Sequence, residues 1–169
     1  MSQAEAAAPA SFRHRLVLAL ATGFGLGYAP VASGTIGSLP GVVLAVGLAY
    51  LPLWIQVAAA VLLASLAIPI CTAAERHFGH KDDGRIVADE YMTFPLCVIG
   101  LPIHHLPWLL GVAFVINRVM DILKPQPARW MQRLPEGAGI VLDDVYSSMY
   151  ALALNCAVYS VVLLQTPLR

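Results

Sequence analysis

The sequence predicts an all-α protein, a polytopic membrane bundle of about five or six helical segments, on three observations. The 169 residues are 59% hydrophobic and only 12% charged, with a mean hydropathy of +0.73. A soluble domain carries about 25% charged residues. Long apolar runs recur between short polar stretches. Eight of the ten basic residues gather in the N-terminal stretch and two polar loops.

Taken in order, residues 1–15 read as a polar tail and residues 16–169 as a single membrane-embedded domain. Arg13-His14-Arg15 followed by residues 16–21 has the outline of a signal sequence, but the apolar run is short and breaks into Gly23, Gly25 and Gly27. Residues 16–28 are expected to form a short helix of roughly 20 Å, re-entrant or interfacial because the hydrocarbon core is about 30 Å thick. Residues 29–38 are rich in Gly, Pro and hydroxyls and read as a loop. Ser38 is placed to cap the next helix, with Pro40 in its first turn. The amides of Gly34, Thr35 and Gly37 would then offer an anion a cradle.

Further spans are expected over residues 39–50, 53–74 (with Pro69 inside), 86–103, 108–123 and 140–164, with an interfacial turn over 128–134 carrying Trp130. Cys71, Cys97 and Cys156 stand far apart without metal-ligand spacing and read as buried thiols. A net charge of +0 gives a nucleic-acid partner no electrostatic support.

If the spans alternate in direction, the stretches holding Arg13, Arg15, Arg76, Lys81, Arg85, Lys124, Arg129 and Arg133 share one side, which the positive-inside rule makes cytoplasmic. Arg169 falls on the other. The same alternation collects the acids. Asp89-Glu90 lie near the start of one span, Asp121 near the end of another, and Asp143-Asp144 near the start of the last. At 1.5 Å per residue each sits roughly 4–6 Å below the same face. Holding an ionised side chain at bilayer depth costs roughly 2.5–3.5 kcal/mol on the gentlest scale, so such groups are paired or functional.

Clustered carboxylates without Cys or His suit a hard cation such as Mg²⁺. Arg118, Asp121 and Lys124, spaced by three, share a helical face and could pair among themselves or offset phosphate charge. His104 and His105 fall on the opposite side and read as loop residues. Two non-enzymatic readings stay open here. Ion-coupled transport would use intramembrane acids, but neither an inverted repeat nor midplane acids are visible. A non-catalytic lipid-binding protein is the other.

Four ordered blocks are recognisable together: Gly23-Phe24-Gly25-Leu26-Gly27 with Gly34-Thr35-Ile36-Gly37-Ser38; Asp82 ahead of Ile86-Val87-Ala88-Asp89-Glu90; Arg118-Val119-Met120-Asp121 with Lys124-Pro125-Gln126-Pro127; and Gly139-Ile140-Val141-Leu142-Asp143-Asp144. In these the chain resembles the phosphatidylglycerophosphatase A family of bacterial membrane enzymes. The resemblance implies Mg²⁺-dependent hydrolysis of phosphatidylglycerophosphate to phosphatidylglycerol and phosphate, among the lipids of the bacterial inner membrane. It implies acidic site residues at Asp82, Asp89, Glu90, Asp121, Asp143 and Asp144 and a phosphate-loop threonine at Thr35. On this reading Asp89, Glu90, Asp143, Asp144 and Thr35 are catalytic. Gly34, Thr35, Gly37, Ser38, Arg118 and Lys124 bind phosphate, and the six acids bind metal. The chain departs from the family pattern at Ser33, Thr93, Gln126, Ser147 and Ser148, none of which removes a charged group.

Overall fold

The computed structural model describes residues 11–165, and all regular structure among them is helical. Residues 1–10 of the expected tail, and Arg169, lie outside the described residues. Helix α1 (Phe12–Ala21) opens on Ser11, whose hydroxyl accepts the amide of His14, so the helix begins inside the stretch read as tail. It stops short of residue 28 because Gly23, Phe24 and Gly25 turn left-handed, at φ 56°, 57° and 97°. Two glycines make such a turn accessible. A 3-10 turn over Leu26–Tyr28 completes the segment.

The loop expected over 29–38 is largely helical. Helix α2 (Ser33–Gly37) runs into α3 (Leu39–Leu48), and together they form one apolar helix. Ser38 does not cap α3. Its own backbone is helical and its amide donates to the Gly34 carbonyl at 2.9 Å, so no free helix end exists there. The amide of Ile36 is likewise spent, on the Ala32 carbonyl. The expected cradle of free amides is thus shorter than the loop reading implied.

Helix α4 (Leu53–Phe78) reaches roughly 39 Å and ends on Gly79 at φ 76°, a left-handed glycine stop. It runs a turn past the expected end and carries Glu75 inside the helix. The span expected over 86–103 does not exist. Helix α5 (Ala88–Thr93) gives way to a 3-10 turn, Phe94–Val98, and Gly100 turns the chain at φ 73°. Pro95 has no N–H to donate back to Tyr91, which favours the change of winding. At six and five residues the two pieces reach roughly 10 Å each, too short to cross a bilayer. Irregular backbone at membrane depth survives only inside protein. Val87, Ala88, Phe94, Cys97 and Val98 are accordingly buried.

Helix α6 (Pro107–Leu123) reaches roughly 26 Å, α7 (Ala128–Met131) is a single turn, and α8 (Gly137–Gln165) reaches roughly 43 Å. By length and composition α4 and α8 can cross a membrane. Only 22% of each apolar window is buried inside the protein, unlike the core helix of a soluble domain. Trp54, Val61, Leu62, Val115, Ile122 and Leu163 are exposed, whereas Asp89, Asp143, Asp144, Asn117 and Asn155 are buried. Apolar outside and polar inside is the distribution of a helical membrane bundle.

Two apolar clusters flank the α5 segment. One joins α1, α4, α5 and α8 through Ala21, Ala67, Cys71, Ala74, Val87 and Val141. The other joins α3, the Phe94–Val98 turn, α6 and α8 through Phe94, Leu109, Ala113 and Ala151. Small residues let the helices approach closely. At Gly137 a Cβ would stand 2.4 Å from the Ile68 carbonyl oxygen, so only glycine lets α8 start against α4. Cys156 is exposed on α8, in contrast to the expected burial of all three thiols.

Candidate functional site

Helices α4 and α6 end, and α3 and α8 begin, at the same end of the bundle as α5. That arrangement gathers the acids. On α6, the spacing of three puts Arg118, Asp121 and Lys124 on one face. Arg118 Nη1 donates to Glu90 Oε2 at 2.8 Å and to Ser38 Oγ at 3.0 Å, and Nη2 donates to Asp121 Oδ2. The Ser38 hydroxyl lies 2.9 Å from Glu90 Oε2 and 2.7 Å from the Gly34 carbonyl oxygen. Lys124 ends α6 in a left-handed conformation at φ 45°; its Nζ donates to Asp143 Oδ2 at 2.6 Å and lies 3.9 Å from Asp121 Oδ1.

Glycine is required beside Glu90. A Cβ on Gly34 would stand 2.3 Å from Glu90 Oε1. Gly37 instead packs on Val87, and its backbone belongs to the α2–α5 contact more than to the acids. Thr35 is exposed.

Asp89, Asp143 and Asp144 are buried. Asp89 is within electrostatic reach of Glu90, Asp82, Asp121 and Asp143, and Asp144 of Asp121, Asp89 and Asp143. Asp89 Oδ1 and Asp144 Oδ2 are buried without a hydrogen-bond partner. The structure therefore brings Asp89, Glu90, Asp121, Asp143, Asp144, Arg118, Lys124, Ser38 and Gly34 together. Asp82 sits at the rim, exposed, with its charge near Asp89 and Asp143 and its amide bonded to Glu75 Oε1 at 3.0 Å. His104 and His105 stack on each other beside Tyr50, past the other end of α3.

The donor set is all oxygen, as a hard cation prefers. Among the described residues no three acidic, imidazole or thiol groups are grouped closely enough to hold a metal ion as they stand. Arg118 and Lys124 pair with Glu90, Asp121 and Asp143, and among the described residues the fully buried carboxylate oxygens without a hydrogen-bond partner are Asp89 Oδ1 and Asp144 Oδ2. Because the acids of the cluster outnumber these two cations and two buried carboxylate oxygens are unpartnered, its chemistry fits a divalent cation.

Two buried polar residues at this end escaped sequence reasoning. Glu75 falls just past the span expected over 53–74, and the stop signal at Gly79 places it inside α4. Asn117 is buried and accepts the Ser148 hydroxyl at 3.1 Å. This also accounts for Ser148, one of the departures. Thr93 donates its hydroxyl to the Asp89 carbonyl at 2.7 Å and so needs no partner elsewhere. Ser147 Oγ is buried without a partner, and nothing in the structure explains it.

The family model described as Phosphatidylglycerophosphatase A matches residues 19–159. The chain is 32% identical over 131 residues to the Phosphatidylglycerophosphatase A of Escherichia coli K12, covering 77% of this chain and 76% of that one. It is 36% identical over 141 residues to that of Haemophilus influenzae, covering 82% and 86%. A Bacteroides thetaiotaomicron protein named provisionally as a phosphatidylinositol-3-phosphatase is 31% identical over 145 residues, covering 82% and 91%. No solved structure matches. With most of its length matched and its acids gathered at one end of the bundle, this chain belongs to the phosphatidylglycerophosphatase A family.

Proposed function

We propose that this chain hydrolyses the terminal phosphomonoester of phosphatidylglycerophosphate, releasing phosphatidylglycerol and phosphate, with Mg²⁺, at the cytoplasmic face of the bacterial inner membrane. Beside the family membership, one observation carries the reading: Asp89 Oδ1 and Asp144 Oδ2 are buried without partners in a cluster where acids outnumber cations. An unpaired buried carboxylate oxygen is costly unless something binds there.

Asp89, Glu90, Asp143 and Asp144 would hold the ion, with Asp121 and Asp82 in support. Held there, the ion would supply positive charge to the phosphate and acidify a water. The protein's own groups do the rest. Arg118 fixes Glu90 and Asp121 in one geometry. Lys124, paired with Asp143, would offset charge developing on the phosphate. Thr35, exposed beside Gly34, can contact phosphate oxygens from the open side. One carboxylate orients the water or takes its proton. Clustering of Arg76, Lys81, Arg85, Arg129 and Arg133 around the polar loops supports the cytoplasmic orientation, and the outward apolar faces of α4, α6 and α8 support a multi-pass arrangement.

Asp89→Asn keeps shape and removes the charge. It should lower phosphate release by at least about a hundredfold while leaving helical circular dichroism and micelle elution unchanged. Release within twofold of the parent would overturn the assignment. A second reading, in which the site takes a phosphoinositide monoester, has the name of the Bacteroides relative in its favour. Parallel assays on the two lipids decide between them.

A further inference from the structure

Alongside the acidic cluster lies a groove of about 580 Å³, within the span of known ligand pockets. Leu20 and Phe24, Leu39 and Val43 of α3, Leu63 of α4 and Met92 beside α5's Tyr91 line it. The Tyr91 hydroxyl is tied to the Leu20 carbonyl at 3.0 Å, so the groove offers apolar surface. It shares a wall with the acidic site. Leu39 follows Ser38, Tyr91 follows Glu90, and Ser38 Oγ is 2.9 Å from Glu90 Oε2. At the lip stands Phe24, 70% exposed and held left-handed at φ 57° between Gly23 and Gly25. That conformation is unfavourable for a phenylalanine, and strain of this kind is retained chiefly where function uses it.

A molecule occupying both compartments must be an amphiphile with an anionic phosphate joined to an apolar tail. We infer that the groove seats an acyl chain of the lipid monoester whose phosphate enters the acidic cluster, with Phe24 at its entrance. This rests on the phosphatase reading. The groove then makes Leu39, Val43, Phe24 and Met92 determinants of chain-length preference, and it anchors the headgroup at a fixed depth.

The test compares kcat/KM on three substrates with one headgroup: the long-chain lipid, a short-chain lipid and the deacylated glycerophosphoglycerol phosphate. Val43→Trp fills the groove at a position that is already exposed. It should cut kcat/KM for the long-chain lipid about tenfold, mainly through KM, which is the loss of about two methylene contacts. The ratio of long-chain to deacylated turnover should fall with it. Val57→Trp, exposed on α4 away from the groove, should leave all three rates alone. Equal loss on every substrate, or no loss, would overturn the inference. A second readout needs no turnover: a diazirine placed in the tail of an anionic lipid should label residues 39–43 well above residue 57. Equal labelling would mean ordinary surrounding lipid and would overturn the groove. If the unmodified protein releases phosphate from none of the substrates, the phosphatase reading fails, and the labelling still decides the groove.

Discussion

Replacing Arg118 with methionine removes the side chain that pairs with both Glu90 and Asp121. The guanidinium is only 11% exposed, and its partners 16% and 15%. At 2.8 Å and an effective dielectric of 20, one such contact is worth about 6 kcal/mol before desolvation. Desolvation offsets much of that, so the pair itself contributes little net stability. Deleting one partner is different, because it leaves two mostly buried carboxylates without their shared cation, at a cost of up to about 3–5 kcal/mol. For a chain of this length that is a fall of roughly 6–20 °C in apparent unfolding midpoint. The assay is thermal unfolding in detergent micelles with chelator present, so that no cation substitutes for the lost charge. Arg118→Lys keeps the charge but loses the two-pronged fork, and its midpoint should fall less than that of Arg118→Met. Adding Glu90→Gln to Arg118→Met removes one orphaned charge and should recover part of the loss. If Arg118→Met is as stable as the parent, or the two substitutions simply add, the cluster is not an interdependent charge network and the reasoning fails.

Other outcomes follow from the same geometry. Gly34→Ala drives a methyl group to within 2.3 Å of Glu90 Oε1, whose carboxylate is pinned from the other side by Arg118 and Ser38. Displacing a site carboxylate by even 1 Å can cost about a hundredfold in rate; steady-state kinetics with unchanged kcat/KM would count against the pinned geometry. In the polar loop, the hydrogen bonds from Arg85 hold the Asp83 carboxyl down at about 2. A depressed carboxylate stabilises the fold above its unfolded value of about 3.9 and loses that contribution as pH falls toward 2. The difference in unfolding midpoint between the parent and Asp83→Asn should therefore shrink between about pH 4 and pH 2; a pH-independent gap would contradict the pairing.

How far the sequence could be read depends on where local signals are strong. The apolar runs of α4, α6 and α8 were legible because they are long and apolar, and the Arg118, Asp121 and Lys124 face because its members repeat every three residues. The convergence of Asp89-Glu90 with Asp143-Asp144 followed from span order alone. The segment after Asp89 was misread because a run of apolar residues looks the same whether it faces lipid or protein. Only Pro95 and Gly100 hinted that it could not stay helical. The α2 helix was missed for the opposite reason: Ser33, Gly34 and Gly37 have weak helical propensity, and packing on Val87 and Glu90 overrides it. Ser38 shows the same limit. Its type suggested a cap, but tertiary neighbours gave its hydroxyl to Glu90.

The central claim is that the acidic end of this bundle hydrolyses a lipid phosphomonoester with the help of a divalent cation. It is tested most directly by phosphate release from phosphatidylglycerophosphate by the purified protein in detergent, first with Mg²⁺ and then with excess chelator. The account predicts release with Mg²⁺, its loss in chelator, and its return when Mg²⁺ is restored. Release that persists undiminished in chelator would contradict the role of the acids, and no release from folded protein beside an active family member would contradict the enzyme itself.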